Sequence, residues 1–235
     1  MRSLEVERLL PGAFTATGVF VPTATSRVLA NLARNSVEPG NSVLDLGCGS
    51  GVVGLQLARD LRCQIRLSMS DVSHAALRVA KTNANLLNVE ADLRVGSLFD
   101  PWDSMAFDVI VSDVSGVVPR LGSQLGWFNN VSNESGPDGI DLAAQVVCCA
   151  SRFLASGGKL IMPVLSLSNE STLLGVMSEF FRSRTCLGET ALPLPQKTNI
   201  DELRDYAPFI RIDTLAGVNV FYTTVWSMSE PGGLS

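Results

Sequence analysis

Residues 43–51 read Val-Leu-Asp-Leu-Gly-Cys-Gly-Ser-Gly, and this stretch decides the fold. Its apolar residues predict a buried strand that ends close to Asp45. Three alternate glycines follow the strand: Gly47, Gly49 and Gly51. Glycine permits positive φ and lets a ligand approach the backbone closely. A helix-compatible run surrounds Leu55, so the order is strand, glycine loop, helix, which is typical of a nucleotide-type site above a parallel sheet.

Two cofactors compete for this loop. Residues 49–54 also satisfy the G-x-G-x-x-G dinucleotide pattern, and Asp71 lies about 20 residues further on, as that pattern expects. Asp45 separates the two interpretations, because a carboxylate ahead of the glycines repels a pyrophosphate but attracts the ammonium of an amino acid. S-adenosylmethionine carries such an ammonium and a ribose diol, whose hydroxyls would donate hydrogen bonds to Asp71. We therefore favour S-adenosylmethionine, with an NAD(P)-dependent oxidoreductase as an alternative.

Strand and helix signals alternate along the rest of the chain. Further strands are predicted at 64–70, 91–95, 107–112, 160–165, 185–191 and 218–226. Acidic residues follow two of them, with Asp71 after the second strand and Asp113 after the fourth. Open α/β sheets bind ligands at the carboxyl ends of their strands, so these side chains are expected to meet in one cleft. The alternation favours a doubly wound, mostly parallel sheet with helices on both faces.

The motifs together resemble the class I S-adenosylmethionine-dependent methyltransferases, and most of all their protein-(glutamine-N5) methyltransferase group of the HemK/PrmC type. Besides the glycine loop, the segments that carry the resemblance are 19–23, 71–83, 107–119, 136–141 and 157–160. The resemblance implies an α/β fold with a Rossmann-like, seven-stranded sheet. It also implies S-adenosylmethionine as the cofactor and S-adenosylhomocysteine as the product.

The resemblance further implies which residues hold the cofactor. The segment before the first helix would lie over the donor, which adds Phe20 and Thr23 to the loop residues. Thr23 fits equally well as a helix cap, and Phe20 as a hydrophobic staple. The candidate cofactor-binding residues are Phe20, Thr23, Asp45, Gly47, Cys48, Gly49, Gly51, Asp71, Val72, Ser97, Leu98 and Asp113.

The loop after the fourth strand departs from the family. Where the HemK/PrmC group has Asn-Pro-Pro-Tyr, this chain has Asp113-Val114-Ser115-Gly116. An ionised Asp113 only accepts hydrogen bonds, and Gly116 lacks the aromatic ring on which base-modifying relatives stack their substrate. Since the sulfonium already activates the donor, Asp113 would mainly orient an O–H or N–H nucleophile and act as a catalytic base. The alternative role for Asp113 is to cap the following turn.

Composition and the segment from 116 to 139 indicate the substrate. The chain has 18 Lys and Arg against 23 Asp and Glu, and its formal net charge of −5 argues against a nucleic acid partner. We therefore expect methyl transfer to an O or N nucleophile of a small molecule, such as a secondary metabolite or an amino-acid derivative. Ser115, Trp127 and Phe128 are the candidate substrate-binding residues, in or beside this long aperiodic segment. A glutamine-like protein side chain is the alternative acceptor, and a non-catalytic donor-binding protein is a third interpretation.

One domain accounts for the 235 residues, of which 46% are hydrophobic. Residues 1–35 are interpreted as an N-terminal helical cap on the substrate side, and residues 36–230 as the domain that binds S-adenosylmethionine. Charges within residues 1–10 exclude a signal-peptide core, and no apolar run has the length of a membrane span, so a cytoplasmic protein without membrane contact is expected. His74 is the single histidine and the five cysteines lack C-x-x-C spacing, so no metal site is expected. The oligomeric state does not follow from these patterns.

Overall fold

A mixed sheet forms the centre of the fold. The computed structural model describes residues 8, 10–62, 64–114, 116–125, 128, 131, 135–196 and 198–232. Within these ranges the strands are β1 (Ser42–Leu46), β2 (Arg66–Asp71), β3 (Ala91–Val95), β4 (Phe107–Ser112), β5 (Leu154–Leu165), β6 (Phe181–Pro193), β7 (Ile212–Leu215) and β8 (Val218–Pro231). The helices are α1 (Ala24–Ala33), α2 (Val52–Asp60), α3 (His74–Leu86), α4 (Pro119–Leu125), α5 (Asp141–Ala150), α6 (Glu170–Phe180) and α7 (Ile200–Tyr206).

The strand order is β3-β2-β1-β4-β5-β8-β6, and β7 pairs with β8 outside this path. The pairs from β3 to β5 are parallel, whereas β8 is antiparallel to β5, β6 and β7. The predicted α/β class, a mostly parallel sheet between helices, is confirmed. In this order the carboxyl ends of β1, β2 and β4 lie side by side, where such sheets bind ligands.

Alternation along β1 sends successive side chains to opposite faces of the sheet. Val43 belongs to the core cluster that contains Leu55 of α2. Leu44 belongs to the cluster on the other face, together with Val147 of α5. Asp45 therefore lies on the face of Val43, beneath α2, and its carboxylate reaches the backbone of that helix.

The N-terminal residues share the core of the sheet. Leu10 is fully buried in the same cluster as the β1 and α2 side chains. Asn83 of α3 accepts a hydrogen bond from the N–H of Phe14 at 3.1 Å and donates one to its carbonyl at 3.0 Å. The segment before α1 is thus fastened to the domain by both apolar and polar contacts. The division into a cap at residues 1–35 and a domain at 36–230 stays a prediction.

Within the described residues the sheet has one strand more than the predicted seven. The extra strand, β7, forms a hairpin with β8. Its two-residue turn, Ala216-Gly217, has positive φ at both positions, 49° and 79°, as a type I′ turn requires. Three of the four β7 residues are exposed, so the strand carries no alternating apolar pattern that would have predicted it.

Pro163 lies inside β5, a position that proline avoids in a central strand. The pairing of β5 with β4 ends at Ile161, so at Pro163 the strand has β8 as its neighbour and is open on its other side. The missing N–H of the proline therefore leaves no partner of β4 unsatisfied.

Candidate active site

A cavity of about 460 Å³ opens at the carboxyl ends of β1, β2 and β4. Its wall comes from the loops that follow these strands, from the residues after β3 and from the segment before α1. All candidate cofactor-binding residues except Gly51 line it: Phe20, Thr23, Asp45, Gly47, Cys48, Gly49, Asp71, Val72, Ser97, Leu98 and Asp113. The sheet topology thus gathers side chains from distant parts of the sequence around one space.

The glycine loop after β1 is held against the end of β2. The N–H groups of Gly47 and Cys48 both donate to the carbonyl of Ser70, at 2.9 Å each. Gly47 has a φ of 72°, and a Cβ there would lie 2.9 Å from Val114 Cγ1. Both the backbone conformation and the close approach of the loop after β4 require glycine at this position. Burial raises the pKa of the Cys48 thiol well above its ordinary value, so this thiol stays neutral.

Gly51 has a different role from the other two glycines. It precedes α2 with a φ of 79°, and a Cβ there would lie 3.1 Å from Ala80 Cβ and 3.2 Å from Met69 Sδ. The structure places Gly51 in the packing of α2 against α3 and β2, behind the cavity wall and outside it. The sequence pattern does not distinguish these two uses of glycine.

Asp45 is almost fully buried, and its Oδ2 accepts a hydrogen bond from the Gly54 N–H of α2 at 2.8 Å. Burial raises the pKa of Asp45 to about 7, the bond from Gly54 opposes this shift, and the charges of Asp113 and Asp71 add to it. A cation bound at Asp45 would lower this pKa again and favour the carboxylate. The site therefore suits a positively charged group, such as the ammonium of an amino acid.

Asp71 fixes the two loops that border the cavity. Its Oδ2 accepts from the Gly49 N–H at 2.8 Å, and its Oδ1 accepts from the Ser73 N–H at 2.8 Å. A carboxylate offers about four acceptor positions, so lone pairs remain for two hydroxyl donors. Val72, the next residue, lines the cavity with 72% of its surface exposed, which provides an apolar face beside the carboxylate.

Asp113 follows β4 and lies between the glycine loop and the start of α1. Its Oδ2 accepts a hydrogen bond from the Ser26 hydroxyl at 2.5 Å. Burial raises the pKa of Asp113 to about 7, and the hydrogen bond from Ser26 opposes the shift. A carboxylate with a pKa in this range accepts a proton readily at neutral pH.

Ser26 was not among the candidates, although it contacts the predicted catalytic residue. Its hydroxyl also accepts from the Thr23 N–H at 3.2 Å, and the Thr23 hydroxyl accepts from the Thr25 N–H, so a capping box begins α1. The pattern Thr-x-x-Ser at 23–26 carries the signal for this box, but not for the contact with Asp113. Thr23 therefore both caps α1 and lines the cavity.

The far side of the cavity is apolar. The rings of Phe20 and Phe128 lie with their centroids 5.7 Å apart. Phe128 packs against the cluster that includes Val117 and Leu165, and all four residues line the cavity. Of the three candidate substrate-binding residues, only Phe128 is placed, because Ser115 and Trp127 lie outside the described residues.

The chain resembles known proteins in a family pattern, in sequence and in structure. Residues 8–113 match the family model of the methyltransferase small domain. A release factor glutamine methyltransferase of Geobacter sulfurreducens is 28% identical over 68% of this chain and 57% of its own length. A ribosomal protein L11 methyltransferase of Thermosipho africanus is 35% identical over 46% of this chain and 40% of its own length. The 16S rRNA N2 G1207 methyltransferase of T. thermophilus, solved with AdoMet and guanosine, superposes with a TM-score of 0.59 at 18% identity, over 94% of this chain and 46% of that one.

In its motifs, its sequence and its fold, the chain resembles the class I S-adenosylmethionine-dependent methyltransferases. The resemblance drawn from its motifs is confirmed, and the comparisons support S-adenosylmethionine, not NAD(P), as the cofactor. The cavity fits this cofactor, since Asp45 suits an ammonium and Asp71 has free acceptor positions. A Cβ at Gly49 would meet nothing within 4 Å, so the backbone is open to a ligand there.

The predicted class of substrate is wrong. The acidic composition predicts a small-molecule substrate and no nucleic acid, but three of the similar proteins are named for a release factor, a ribosomal protein and an rRNA substrate. Net charge describes the whole surface and carries no information on what enters one cavity, which is why this prediction was wrong.

The chain spans about half the length of the curated relatives that it matches. Among the described residues, no helix is long and apolar enough to cross a membrane.

Proposed function

We propose that this chain transfers the methyl group of S-adenosylmethionine to a nitrogen atom of a protein. The observation that carries the proposal is the position of Asp113. It lies at the carboxyl end of β4, on the wall of the cavity that the glycine loop and the Phe20–Phe128 pair also line. The similarity to methyltransferases named for a release factor and for ribosomal proteins supports a protein as the acceptor.

The donor part of the cavity holds the cofactor through two carboxylates. Asp45 would bind the ammonium of S-adenosylmethionine, and Asp71 would accept hydrogen bonds from its ribose hydroxyls. Val72 would pack on the adenine as an exposed apolar side chain. Bound in this way, the cofactor supplies a methyl group that its sulfonium activates for transfer.

The acceptor part of the cavity positions the nucleophile. Asp113 would accept a hydrogen bond from the acceptor nitrogen and take up the proton that the nitrogen loses, since its pKa is raised to about 7. Phe20 and Phe128 would enclose the side chain and exclude water. Orientation is the main contribution of the protein, because the reaction needs the nucleophile in line with the methyl carbon.

A labelling experiment tests this function. The purified chain is incubated with S-adenosylmethionine carrying a tritiated methyl group and with a mixture of ribosomal proteins, release factors and rRNA. We expect label that protease releases and nuclease does not, and that resists mild base, as a methyl group on nitrogen does. The Asp113→Ala variant should incorporate at least about a hundredfold less label, while calorimetry shows donor affinity close to that of the original chain.

Other outcomes would contradict the proposal. Label confined to the rRNA would replace the protein acceptor by a nucleic acid. Label that mild base removes would mark a methyl ester or another oxygen product. Donor binding without incorporation into any of these polymers would favour the non-catalytic, donor-binding interpretation.

A further inference from the structure

The wall of the cavity has an unbalanced charge. In the part of the chain that the structure describes, three carboxylates line it, those of Asp45, Asp71 and Asp113. Among the described residues that line it, none is a lysine, an arginine or a histidine. Unpaired carboxylates in one confined space repel each other, and the charges of Asp113 and Asp71 indeed contribute to the raised pKa of Asp45. Cations must therefore come from the molecules that bind.

The cofactor accounts for only part of this charge. Its ammonium would pair with Asp45, the charges of its sulfonium and its own carboxylate cancel, and Asp71 faces uncharged hydroxyls and backbone N–H groups. Asp113 is left on the acceptor side, where the uncharged Ser26 hydroxyl donates a hydrogen bond to it. With a neutral amide acceptor, the filled cavity would keep a net negative charge, because the cofactor brings one net positive charge against three carboxylates. A cationic acceptor would supply a second one.

The shape of the acceptor side fits a charged head on an apolar stem. Phe20 and Phe128 are 5.7 Å apart between ring centroids, and Val117 and Leu165 line the same side. Aliphatic stems pack on such apolar walls while their ammonium group reaches a carboxylate beyond them. The faces of aromatic rings also attract cations. A cavity lined by both carboxylates and aromatic rings is thus matched to a primary amine.

We propose that the acceptor nitrogen is a primary amine that enters as an ammonium ion, on a lysine side chain or at a protein N-terminus, rather than a glutamine amide. This inference rests on the proposed function and specifies its acceptor. The family to which the motifs point has asparagine at the position of Asp113, and the change from amide to carboxylate is what exchanges a neutral acceptor for a cationic one.

The chemical step balances with Asp113 as the proton acceptor. The ammonium gives one proton to the Asp113 carboxylate and becomes a neutral amine. Its nitrogen then forms the new bond to the methyl carbon, while the carbon–sulfur bond breaks and its electron pair stays on sulfur. The products are a methylated ammonium ion, S-adenosylhomocysteine and a protonated Asp113 that releases its proton to water. Asp113 is a neutral acid during the methyl transfer, so its contribution is the removal of the proton that frees the lone pair of the nitrogen.

Acetylation of the substrate separates amines from amides. Ribosomal proteins and release factors are treated with acetic anhydride, which blocks lysine side chains and N-termini but leaves glutamine intact. With the untreated mixture as the control, we expect incorporation of labelled methyl groups to fall at least about tenfold after acetylation. Mass spectrometry of the labelled peptides then distinguishes a lysine side chain from an N-terminal amine.

Retained incorporation into acetylated protein, with the label on glutamine, would overturn the amine acceptor and leave the proposed function standing. No incorporation into either protein mixture would overturn both. The Asp113→Asn variant gives a second, independent readout, because it restores the family's amide and removes the charge. An amine enzyme should lose about a hundredfold or more of its activity in this variant. A gain of glutamine methylation beside this loss would support the inference, whereas methylation of amines at the original rate in Asp113→Asn would contradict it.

Discussion

The hydroxyl of Ser26 donates a hydrogen bond to Asp113 Oδ2 at 2.5 Å across 87 positions of sequence. Ser26 lies in the first turn of α1, and Asp113 follows β4. The same hydroxyl accepts from the Thr23 N–H and closes the capping box of the helix. One side chain therefore fixes the start of α1 and the orientation of the candidate base. The hydrogen bond thus connects α1 and the segment before it, which would lie over the donor, with the residue that would take the proton from the acceptor.

Removal of the Ser26 hydroxyl should raise the pKa of Asp113 further. The bond from Ser26 lowers that pKa against the effect of burial, so Ser26→Ala leaves burial unopposed. We expect the rising limb of the pH–activity profile to shift to higher pH and kcat at pH 7 to fall about tenfold. The lost cap should also reduce the free energy of unfolding by about 1 kcal/mol.

The pH profile distinguishes positioning of Asp113 from a merely structural role for Ser26. A variant that only loosens the helix would lower activity equally at every pH. Ser26→Thr keeps the hydroxyl and should restore the original profile in large part. An unshifted profile in Ser26→Ala would show that the bond to Asp113 does not tune the base.

Asp71→Asn should weaken donor binding without unfolding the chain. Asp71 accepts the N–H groups of Gly49 and Ser73 with its two oxygens, and asparagine has only one acceptor oxygen. We expect the dissociation constant of S-adenosylmethionine, measured by calorimetry, to rise about tenfold or more, as for the loss of one charged hydrogen bond.

Asp92→Asn on the neighbouring strand β3 is the matched control. Asp92 pairs with Arg94 at 2.7 Å on the surface, and exposed ion pairs contribute little. Its donor affinity should stay within about threefold of the original chain. Equal losses in the two variants would mean that Asp71 acts through net charge and not through contact with the ribose.

How much of this site can be predicted from the sequence depends on how far apart the interacting residues lie along the chain. The strand–glycine–helix pattern is local, so Asp45, Gly47 and Gly49 follow from nine consecutive residues. The positions of Asp71 and Asp113 follow from strand order, because a parallel sheet brings its carboxyl ends together. These parts of the cavity are where the sequence predicts them.

The contact between Ser26 and Asp113 cannot be predicted from a local motif or from strand order. It depends on the angle at which α1 packs over the sheet, and a capping pattern carries no information on that angle. The same holds for Phe20 and Phe128, whose rings meet across a segment without periodicity. The strand β7 was not predicted, because three of its four residues are exposed to water and its sequence lacks an alternating apolar pattern. Tertiary geometry of this kind becomes visible only in the folded chain.

Gly54→Ala should displace the carboxylate of Asp45, because the added Cβ would clash with it. A Cβ at Gly54 would lie 3.0 Å from both Asp45 Cβ and Asp45 Oδ2, and 3.0 Å from Leu67 Cδ1. These atoms are buried, so either α2 moves away from β1 or the side chains leave their rotamers. We expect the free energy of unfolding to fall by about 1–3 kcal/mol, measured by chemical denaturation. Donor affinity should fall as well.

Gly175→Ala provides the control for this substitution. Gly175 lies in α6 on the surface, and a Cβ there would meet nothing within 4 Å. Alanine favours a helix over glycine, so this variant should gain about 0.5–1 kcal/mol in stability. A loss of stability in Gly175→Ala similar to that in Gly54→Ala would show that the clash with Asp45 is not the cause.

Stability of the chain without its cofactor should decrease as the pH rises from about 4 to about 7. Burial raises the pKa of both Asp45 and Asp113 from 3.8 to about 7. Between these values the unfolded chain has released the protons that the folded chain still holds, so each unit of pH favours unfolding. Above pH 7 both states are ionised and the decrease ends. Denaturation curves recorded from pH 4.5 to 8.5 would show this slope.

The same linkage predicts how the cofactor and the variants change the slope. Asp45→Asn and Asp113→Asn should each flatten it, because an amide does not titrate. Asp108→Asn is the control, since hydrogen bonds from Ser42 hold the pKa of Asp108 below its ordinary value. That variant should alter stability without changing the slope between pH 5 and 7. S-adenosylmethionine needs the ionised Asp45, so its affinity should rise with pH up to about 7. Affinity that falls over this range would place the ammonium of the cofactor elsewhere.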